Sequence, residues 1–459
     1  MVKAIQIGLG HWGFSWTKEV IPKVPTIEMV GYVDSNPDAT ARVQAELGIE
    51  ASLCFLNLEA AVQAVDAQLA ICTLRTEAHY PVVKQCLELG LNVIVEKPFA
   101  TTIAQARELV ALAEAKGLTL MVSQNYRFQP APIAAAELVS AGKFGAVNLV
   151  SIDFRRHAPS QGYRYWDMPD PLLADMAIHH FDLMRMVLGD EPKRVSCRTW
   201  NPAGSPFNYH PIGVATLEFE KGTIVSYRGS WMSSGPVTPW GGEWVMDCAN
   251  GEIIWSSRDH FRDKAGPDRL ALRALDGEAV PVKLDPVALA DRMGTLGAVA
   301  DALETGVVPA RFSSGADNLH SLALVQATIL SASPRSCNKA MALEAGQPDG
   351  NMAQMTSGGL NMALPERQST GQGFTMDNNN RSLLIFIGIG LVAGFLASLV
   401  VGGGGLITYL VSGLIGSLVG GYLFSALRIE LGISNPLVRQ IVTSTVGAII
   451  VVLLARLIA

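Results

Sequence analysis

The sequence predicts an α/β protein with three parts: a parallel sheet covered by helices, an α+β domain with a mostly antiparallel sheet, and an all-α membrane segment of three transmembrane helices. Three observations carry this. Over residues 1–122, short β-branched runs alternate with helical patterns, the rhythm of a parallel sheet covered on both faces. From about residue 146, strand-like runs of period two follow one another directly. After residue 380, three apolar stretches of about 18–22 residues recur almost without charge.

The elements follow in order. "KAIQIGL" and "IEMVGYVD" are strands, and "NPDATARVQAEL" is helical. "QLAICT", a helix through "EAHYPVVKQCLELG", "LNVIVEK", a helix in "IAQARELVALAEAKG" and "LTLMV" complete the first rhythm. "VNLVSIDFRR" and the helical "PLLADMAIHHFDLMRMVLG" open the second part. The strands "RVSCRTW", "GVATLEFE", "TIVSYRGSWM", "EWVMDC" and "EIIWSS" follow, with helices near 286–305 and 315–332. Residues 344–380 are polar and turn-rich and read as a flexible linker. The expected divisions are therefore 1–122, 123–343, 344–380 and 381–459.

Composition narrows the function. The 459-residue chain has room for two or three domains, and its net charge of −6 with no Lys/Arg run argues against nucleic acid as a partner. Six scattered cysteines without a C-x-x-C pair read as thiols of a reducing compartment, not as a disulfide framework or zinc site. The N-terminal apolar run is too short for a signal peptide, which places the enzyme-like part in the cytoplasm.

Gly8, Gly10 and Gly13 form G-x-G-x-x-G between the first strand and a helix, and Asp34 ends the second strand. In that context the pattern is the fingerprint of a Rossmann dinucleotide-binding domain. The glycines let backbone amides approach a pyrophosphate, and the helix N-terminus favours its charge. Asp34 can accept from ribose hydroxyls and repels a 2′-phosphate, and "DSNPDAT" supplies no cation. NAD is expected over NADP.

The chemistry has two candidate sources. Glu96, Lys97 and Pro98 close a parallel strand at its carboxyl edge, where ligands of open α/β sheets lie. In "DMAIHHFD", Asp175 and His179 are four apart and share a helix face, with Asp182 near the same side. Oxidation of an alcohol needs a base near neutrality, and a carboxylate can orient a histidine for it. No further cluster completes a metal shell, so no metal is expected. Packing within a helix is the alternative for the His and Asp.

"GLGHWG", "VDSN", "EKPFA", "NYRFQP" and "DMAIHHFD" together resemble the glucose–fructose oxidoreductase / inositol dehydrogenase / rhizopine-catabolism family of NAD(P)-dependent oxidoreductases, over residues 1 to about 343. The resemblance implies His179 as base, Asp175 as its orienter or a substrate ligand, and Lys97 as the charge that steadies the reacting oxygen. It implies cofactor contacts from Gly8, Gly10, His11, Trp12, Gly13, Asp34, Ser35, Thr73, His79, Glu96 and Lys97. It also implies a homo-oligomer through the sheet of the second domain. "CTLRTEAH" departs from the family's loop after the fourth strand, and "PDPLLAD" replaces its glycine pair. The substrate pocket is therefore this chain's own, with Tyr126, Arg127, Arg155, His157, Tyr163, Trp166 and His180 as candidates for contacts to a sugar, cyclitol or polyol. A relative that keeps NAD bound for isomerisation, elimination or glycoside cleavage, and a non-catalytic nucleotide-sensing membrane protein, remain as alternatives.

Leu383–Val401, Leu406–Leu427 and Leu437–Leu454 each span roughly 27–33 Å as helices, the thickness of a bilayer core. Gly390/Gly394 and Gly416/Gly420 give the close-approach spacing of helices in lipid. "LVAGFLASLVVGGGG" and "GLIGSLVGGYLFSAL" resemble small three-helix transglycosylase-associated membrane proteins, covering Met376 to Ala459. The expectation is a multi-pass tether in the inner membrane. Because Met376 could start such a protein by itself, two adjacent genes read as one is the competing expectation.

Overall fold

The computed structural model describes residues 1–157, 166–258 and 268–332, with the backbone of Leu360–Asn361. The three apolar stretches and Tyr163 lie outside the described residues. Among the described residues no helix is long and apolar enough to cross a membrane.

The first sheet is built from β1 (Val2–Ile7), β2 (Ile27–Val33), β3 (Cys54–Phe55), β4 (Leu69–Cys72), β5 (Asn92–Glu96) and β6 (Leu120–Ser123). Its order is β3-β2-β1-β4-β5-β6 and every pairing is parallel. That is the doubly wound order of a dinucleotide-binding domain, with its topological switch between β1 and β4. The crossovers are α1 (His11–Ser15), α2 (Pro37–Leu47), α3 (Leu58–Ala64), α4 (Thr76–Glu88) and α5 (Ile103–Lys116). β3 and α3 were too short to show in the sequence. The helix boundaries have local causes. The Asn36 side chain caps α2 by accepting from the Asp38 amide, Pro37 sits at its first position, and Gly48 ends it at φ 69°.

Beyond β6 the chain forms α6 (Pro130–Ser140), β7 (Val147–Arg155), a π-helical turn at Leu172–Met176 and α7 (Ala177–Leu188). β8 (Pro192–Trp200), β9 (Ile212–Phe219), β10 (Ile224–Ser230), β11 (Glu243–Cys248), β12 (Gly251–Ser256), β13 (Arg269–Ala274) and β14 (Val280–Pro281) follow. The described chain then forms α8 (Asp291–Thr305), α9 (Gly315–Ala332) and β15 (Leu360–Asn361). The second sheet runs β14-β13-β12-β11-β7-β10-β9-β8-β15, antiparallel except for the β7–β10 pair. Alternation along β9 and β10 buries one face and exposes the other. On the buried face Ile178, Phe181, Met184 and Val187 of α7 pack with Phe154, Leu217, Phe219, Val225, Trp244 and Trp255. Each such side chain contributes on the order of 1.5–3 kcal/mol by leaving water.

Two helices from the later part of the chain pack on the first sheet. α8 returns to the first sheet, where Leu296, Val299 and Ala300 join Trp16, Ile71, Ile94 and Met121. α9 serves both cores: Leu322 packs with the first, Leu324 and Val325 with the second.

Candidate functional site

The glycine turn after β1 is shaped by exclusion. A Cβ on Gly13 would lie 1.9 Å from the Gly8 carbonyl oxygen, whereas one on Gly10 would meet nothing within 4 Å. Gly8 holds φ 93° against Leu74. The turn is therefore tight below and open above, the cradle a pyrophosphate needs. Asp34 stands beside it: its Oδ2 accepts from the Leu9 amide at 2.7 Å and its Oδ1 from the Asn36 amide at 2.9 Å. Each oxygen keeps a further lone pair for a ribose hydroxyl. Arg42, two residues beyond "DSNPDAT" on α2, donates to the carbonyls of Leu9 at 2.7 Å and Gly10 at 3.2 Å and covers the Phe14 ring. Its guanidinium braces the turn.

Several candidate cofactor residues hold the turn from beneath. The Thr73 hydroxyl donates to Gly8 O at 2.7 Å and accepts from Gln6, which also donates to Gly13 O. Glu96 is buried and accepts from the Trp16 indole at 2.8 Å. His79 is buried between two carbonyls, Pro98 O at 2.8 Å and Leu74 O at 3.1 Å, and burial lowers its pKa. These three side chains shape the loops rather than facing open space. His11, Trp12 and Ser35 are exposed at the rim, with the Arg292 guanidinium 4.5 Å over the Trp12 ring.

Lys97 follows β5, and its peptide with Pro98 is cis. Its Nζ donates to Asp175 Oδ1 at 3.0 Å and to Asp175 O at 2.9 Å, joining the two sheets' elements at the carboxyl edge. Asp175 lies in the π-helical turn, not in a regular α-helix, so the four-residue spacing does not translate into a hydrogen bond to His179. His179 is 6 % exposed and stacks on Tyr126, centroids 4.0 Å apart and planes 4° apart. Its Nδ1 is buried without a partner. Burial, then the charges of Lys97, Arg258 and His180, hold its pKa well below the ordinary value. His179 is thus a neutral imidazole beside a lysine–carboxylate pair, an arrangement able to take a proton from a hydroxyl whose oxygen the ammonium steadies.

The pocket candidates divide. Tyr126 is at the site, and Arg258 covers its other face. Arg127 is not free to contact a substrate. Its Nε and Nη2 grip both oxygens of Asp182 at 2.6 and 2.7 Å, and Nη2 also reaches Asp317 at 2.6 Å. Asp182 is likewise consumed there. His180 turns into the second core, where Nε2 faces Trp240 O at 2.9 Å and Nδ1 the Tyr227 hydroxyl at 3.1 Å; burial pushes its pKa down to about 4. Arg155 lies on the opposite face of the sheet, paired with Asp153 and Glu243. His157 is exposed and contacts Ser233 O at 3.3 Å, and Trp166 packs against the second core.

Sequence reasoning missed Gln124 and Arg258. The register pairs Glu96 with Ser123, so Gln124 is the neighbour of Lys97 at the edge. It is 1 % exposed, and neither its amide nitrogen nor its oxygen has a partner. An orphaned carboxamide there suits a ligand with both donor and acceptor, such as a nicotinamide amide. Its position immediately before "NYRFQP" was the available signal. Arg258 had none, because only folding brings it to Tyr126. Among the described residues no group of three or more His, Cys, Asp or Glu could hold a metal ion.

Residues 2–124 match the oxidoreductase family with an NAD-binding Rossmann fold, residues 133–253 the GFO/IDH/MocA C-terminal domain, and residues 410–459 the transglycosylase-associated protein family. The D-apiose dehydrogenase of Paraburkholderia graminis is 28% identical over 335 residues, covering 70% of this chain and 85% of that protein. Among solved structures, an oxidoreductase from Agrobacterium radiobacter in complex with NAD+, L-tartaric acid and magnesium superposes with a TM-score of 0.62 at 21% identity, covering 73% of this chain and 97% of that one. An inositol dehydrogenase homologue from Azotobacter vinelandii complexed with NADH and myo-inositol gives 0.61 at 17% identity, covering 72% and 95%. The enzyme part of this chain, with an NAD-binding Rossmann fold followed by the C-terminal domain, belongs to the GFO/IDH/MocA family of oxidoreductases, and a transglycosylase-associated match closes the sequence.

Proposed function

We propose that the protein is an NAD-dependent dehydrogenase that oxidises a hydroxyl carbon of a sugar, cyclitol or related polyol, with Lys97, Asp175 and His179 at the reacting centre. The observation that carries this is the Lys97–Asp175 contact beside a neutral, buried His179 at the carboxyl edge of the dinucleotide-binding sheet. The dehydrogenase names of the relatives support it. The nicotinamide, when bound, supplies the hydride acceptor. The glycine turn receives the pyrophosphate, Asp34 the ribose hydroxyls and Gln124 the carboxamide. The Lys97 ammonium, restrained by Asp175, lowers the charge cost at the substrate oxygen, and the His179 imidazole takes the hydroxyl proton.

Residues 381–459 hold this enzyme at a membrane, a reading supported by the apolar stretches and the match at 410–459. The exposed face of the nine-stranded sheet, with Trp200, Val214 and Ile224, forms a homo-oligomer. The test is a screen of polyols and sugars with the purified full chain and NAD. Release of NADH with at least one polyol is expected. A substrate that turns over while the nicotinamide stays bound and returns to NAD+ would replace dehydrogenation with isomerisation or elimination.

A further inference from the structure

We propose that Arg258, anchored by Asp291, is a positioning residue that clamps Tyr126 onto His179 and so sets the plane of that imidazole. This rests on His179 being the base.

The catalytic histidine of a dehydrogenase needs something to fix its ring, and a carboxylate on a ring nitrogen is the usual device. Here Asp175 is taken by Lys97, and the His179 Nδ1 is buried with no partner. The ring is instead held by its face. Tyr126 lies parallel to it, and the Arg258 guanidinium carbon sits 4.2 Å from the Tyr126 centroid, giving a sandwich of cation, phenol and imidazole. Tyr126 remains a neutral phenol throughout, since burial raises its pKa to about 12.

Arg258 is itself fixed at several points. Its Nη1 donates to Asp291 Oδ1 at 2.9 Å, the Asn125 amide donates to the same oxygen, and its backbone amide donates to Asp268 Oδ1 at 2.9 Å. Arg258 and Asp291 both sit at positive φ, 66° and 59°, although neither is glycine. Strained residues persist where surrounding structure over-determines them, and they concentrate at functional sites. This strained pair joins the end of β12 to the start of α8, and it serves the aromatic ring that, among the described residues, stacks on His179.

The clamp also has an electrostatic consequence. The groups facing the stack are Lys97 and Asp175 from the edge of the first sheet, His180 from α7, Arg156 after β7, and Arg258 with Asp291. A guanidinium one ring away opposes a positive charge on the imidazole, which helps keep it neutral and ready to accept a proton.

Three variants of the full chain test this: Arg258→Met, Arg258→Lys and Asp291→Asn. The measurements are the pH profile of kcat/KM, kcat and KM for the polyol, NADH affinity by fluorescence, and the His179 ring titration by NMR with histidine-labelled protein, assigned with His179→Gln. Arg258→Met should lower kcat roughly ten- to a hundred-fold, leave NADH affinity unchanged, and move both the acid limb and the His179 titration upward. Arg258→Lys keeps the charge but not the flat guanidinium, so the acid limb should stay while kcat is intermediate. Asp291→Asn, the milder variant should Arg258→Met not fold, should lower kcat without raising KM. An unchanged His179 titration and kcat in Arg258→Met, or a loss confined to KM, would overturn the clamp. Activity surviving in His179→Gln would instead overturn the base assignment, while the ring titration still reports on the clamp.

Discussion

At the residue scale, the proposed chemistry rests unequally on three titratable side chains, Lys97, Asp175 and His179. His179 has its pKa held well below the usual imidazole value, chiefly by burial. A base must be neutral to accept a proton, so a lowered pKa keeps it competent at pH values below its ordinary titration. Oxidation activity should therefore persist under mildly acidic conditions and fall only as pH drops through the lowered value. His179→Ala and Lys97→Ala should each reduce kcat by on the order of 10²–10⁴, with NADH still bound as judged by its fluorescence. A near-normal kcat in His179→Ala removes it as the base. Asp34 makes a different prediction. Its carboxylate both orders the glycine turn through the Leu9 amide and faces the ribose position. Asp34→Ala should weaken NAD and narrow the preference over NADP in a direct binding titration. Tighter NADP than NAD in the unmodified protein would contradict that role.

At the element scale, α7 was legible as a helix and misleading as a list of ligands. α7 and the turn before it offer two adjacent histidines and two aspartates, and spacing alone put Asp175, His179 and Asp182 near one side. In the fold almost the whole helix is buried, so each polar group had to find its own partner. Asp182 found Arg127, Ser321 and Asn318; His180 found Tyr227 and Trp240. Arg127 shows the same pressure. Burial works against its charge, and the carboxylates of Asp182 and Asp317 outweigh this, holding its pKa above the ordinary value. The consequence is structural. Arg127→Met should destabilise the enzyme part by about 3–5 kcal/mol, because it leaves buried carboxylates uncompensated. Thermal unfolding with and without NADH checks this. A variant of unchanged stability with a raised KM would return Arg127 to the substrate pocket.

At the scale of the whole molecule, the proposal that residues 381–459 hold a cytoplasmic enzyme at a membrane implies one topology, which can be tested. On that proposal, with the enzyme inside, Arg381 would lie at the inner face, the segment Gly402–Gly405 would face outward, and the segment carrying Arg428 and Arg439 would return to the inside. Three of the four flanking arginines would then be cytoplasmic, as the positive-inside tendency expects, and Arg456 would be near the outer interface. A cysteine introduced at Ser434 should be shielded from impermeant thiol reagents in intact cells, and one appended after Ala459 should be labelled above the background of the unmodified chain. The reverse pattern would overturn the proposed topology.

The sequence by itself determined the β-α alternation of the first sheet apart from β3 and α3, the glycine turn with Asp34, and the presence of Lys97, Asp175 and His179. These are encoded locally: periodicity follows from backbone geometry, and a glycine that would clash with Gly8 as any other residue is visible as a glycine. Only the tertiary structure decided which polar residues face the site and which are consumed elsewhere. Thr73, His79, Glu96, Arg127 and His180 look like ligands in the sequence, and each is satisfied by a partner between 5 and 190 positions away. Arg258 and Asp291 carry no such signal, and they meet the site because α8 folds back onto the first sheet and β12 ends beside Tyr126, whereas Gln124 is marked only by its place before "NYRFQP". Hydrogen bonding and charge pairing are short-ranged in space and indifferent to separation along the chain, so a residue's availability for chemistry is a property of the packed molecule.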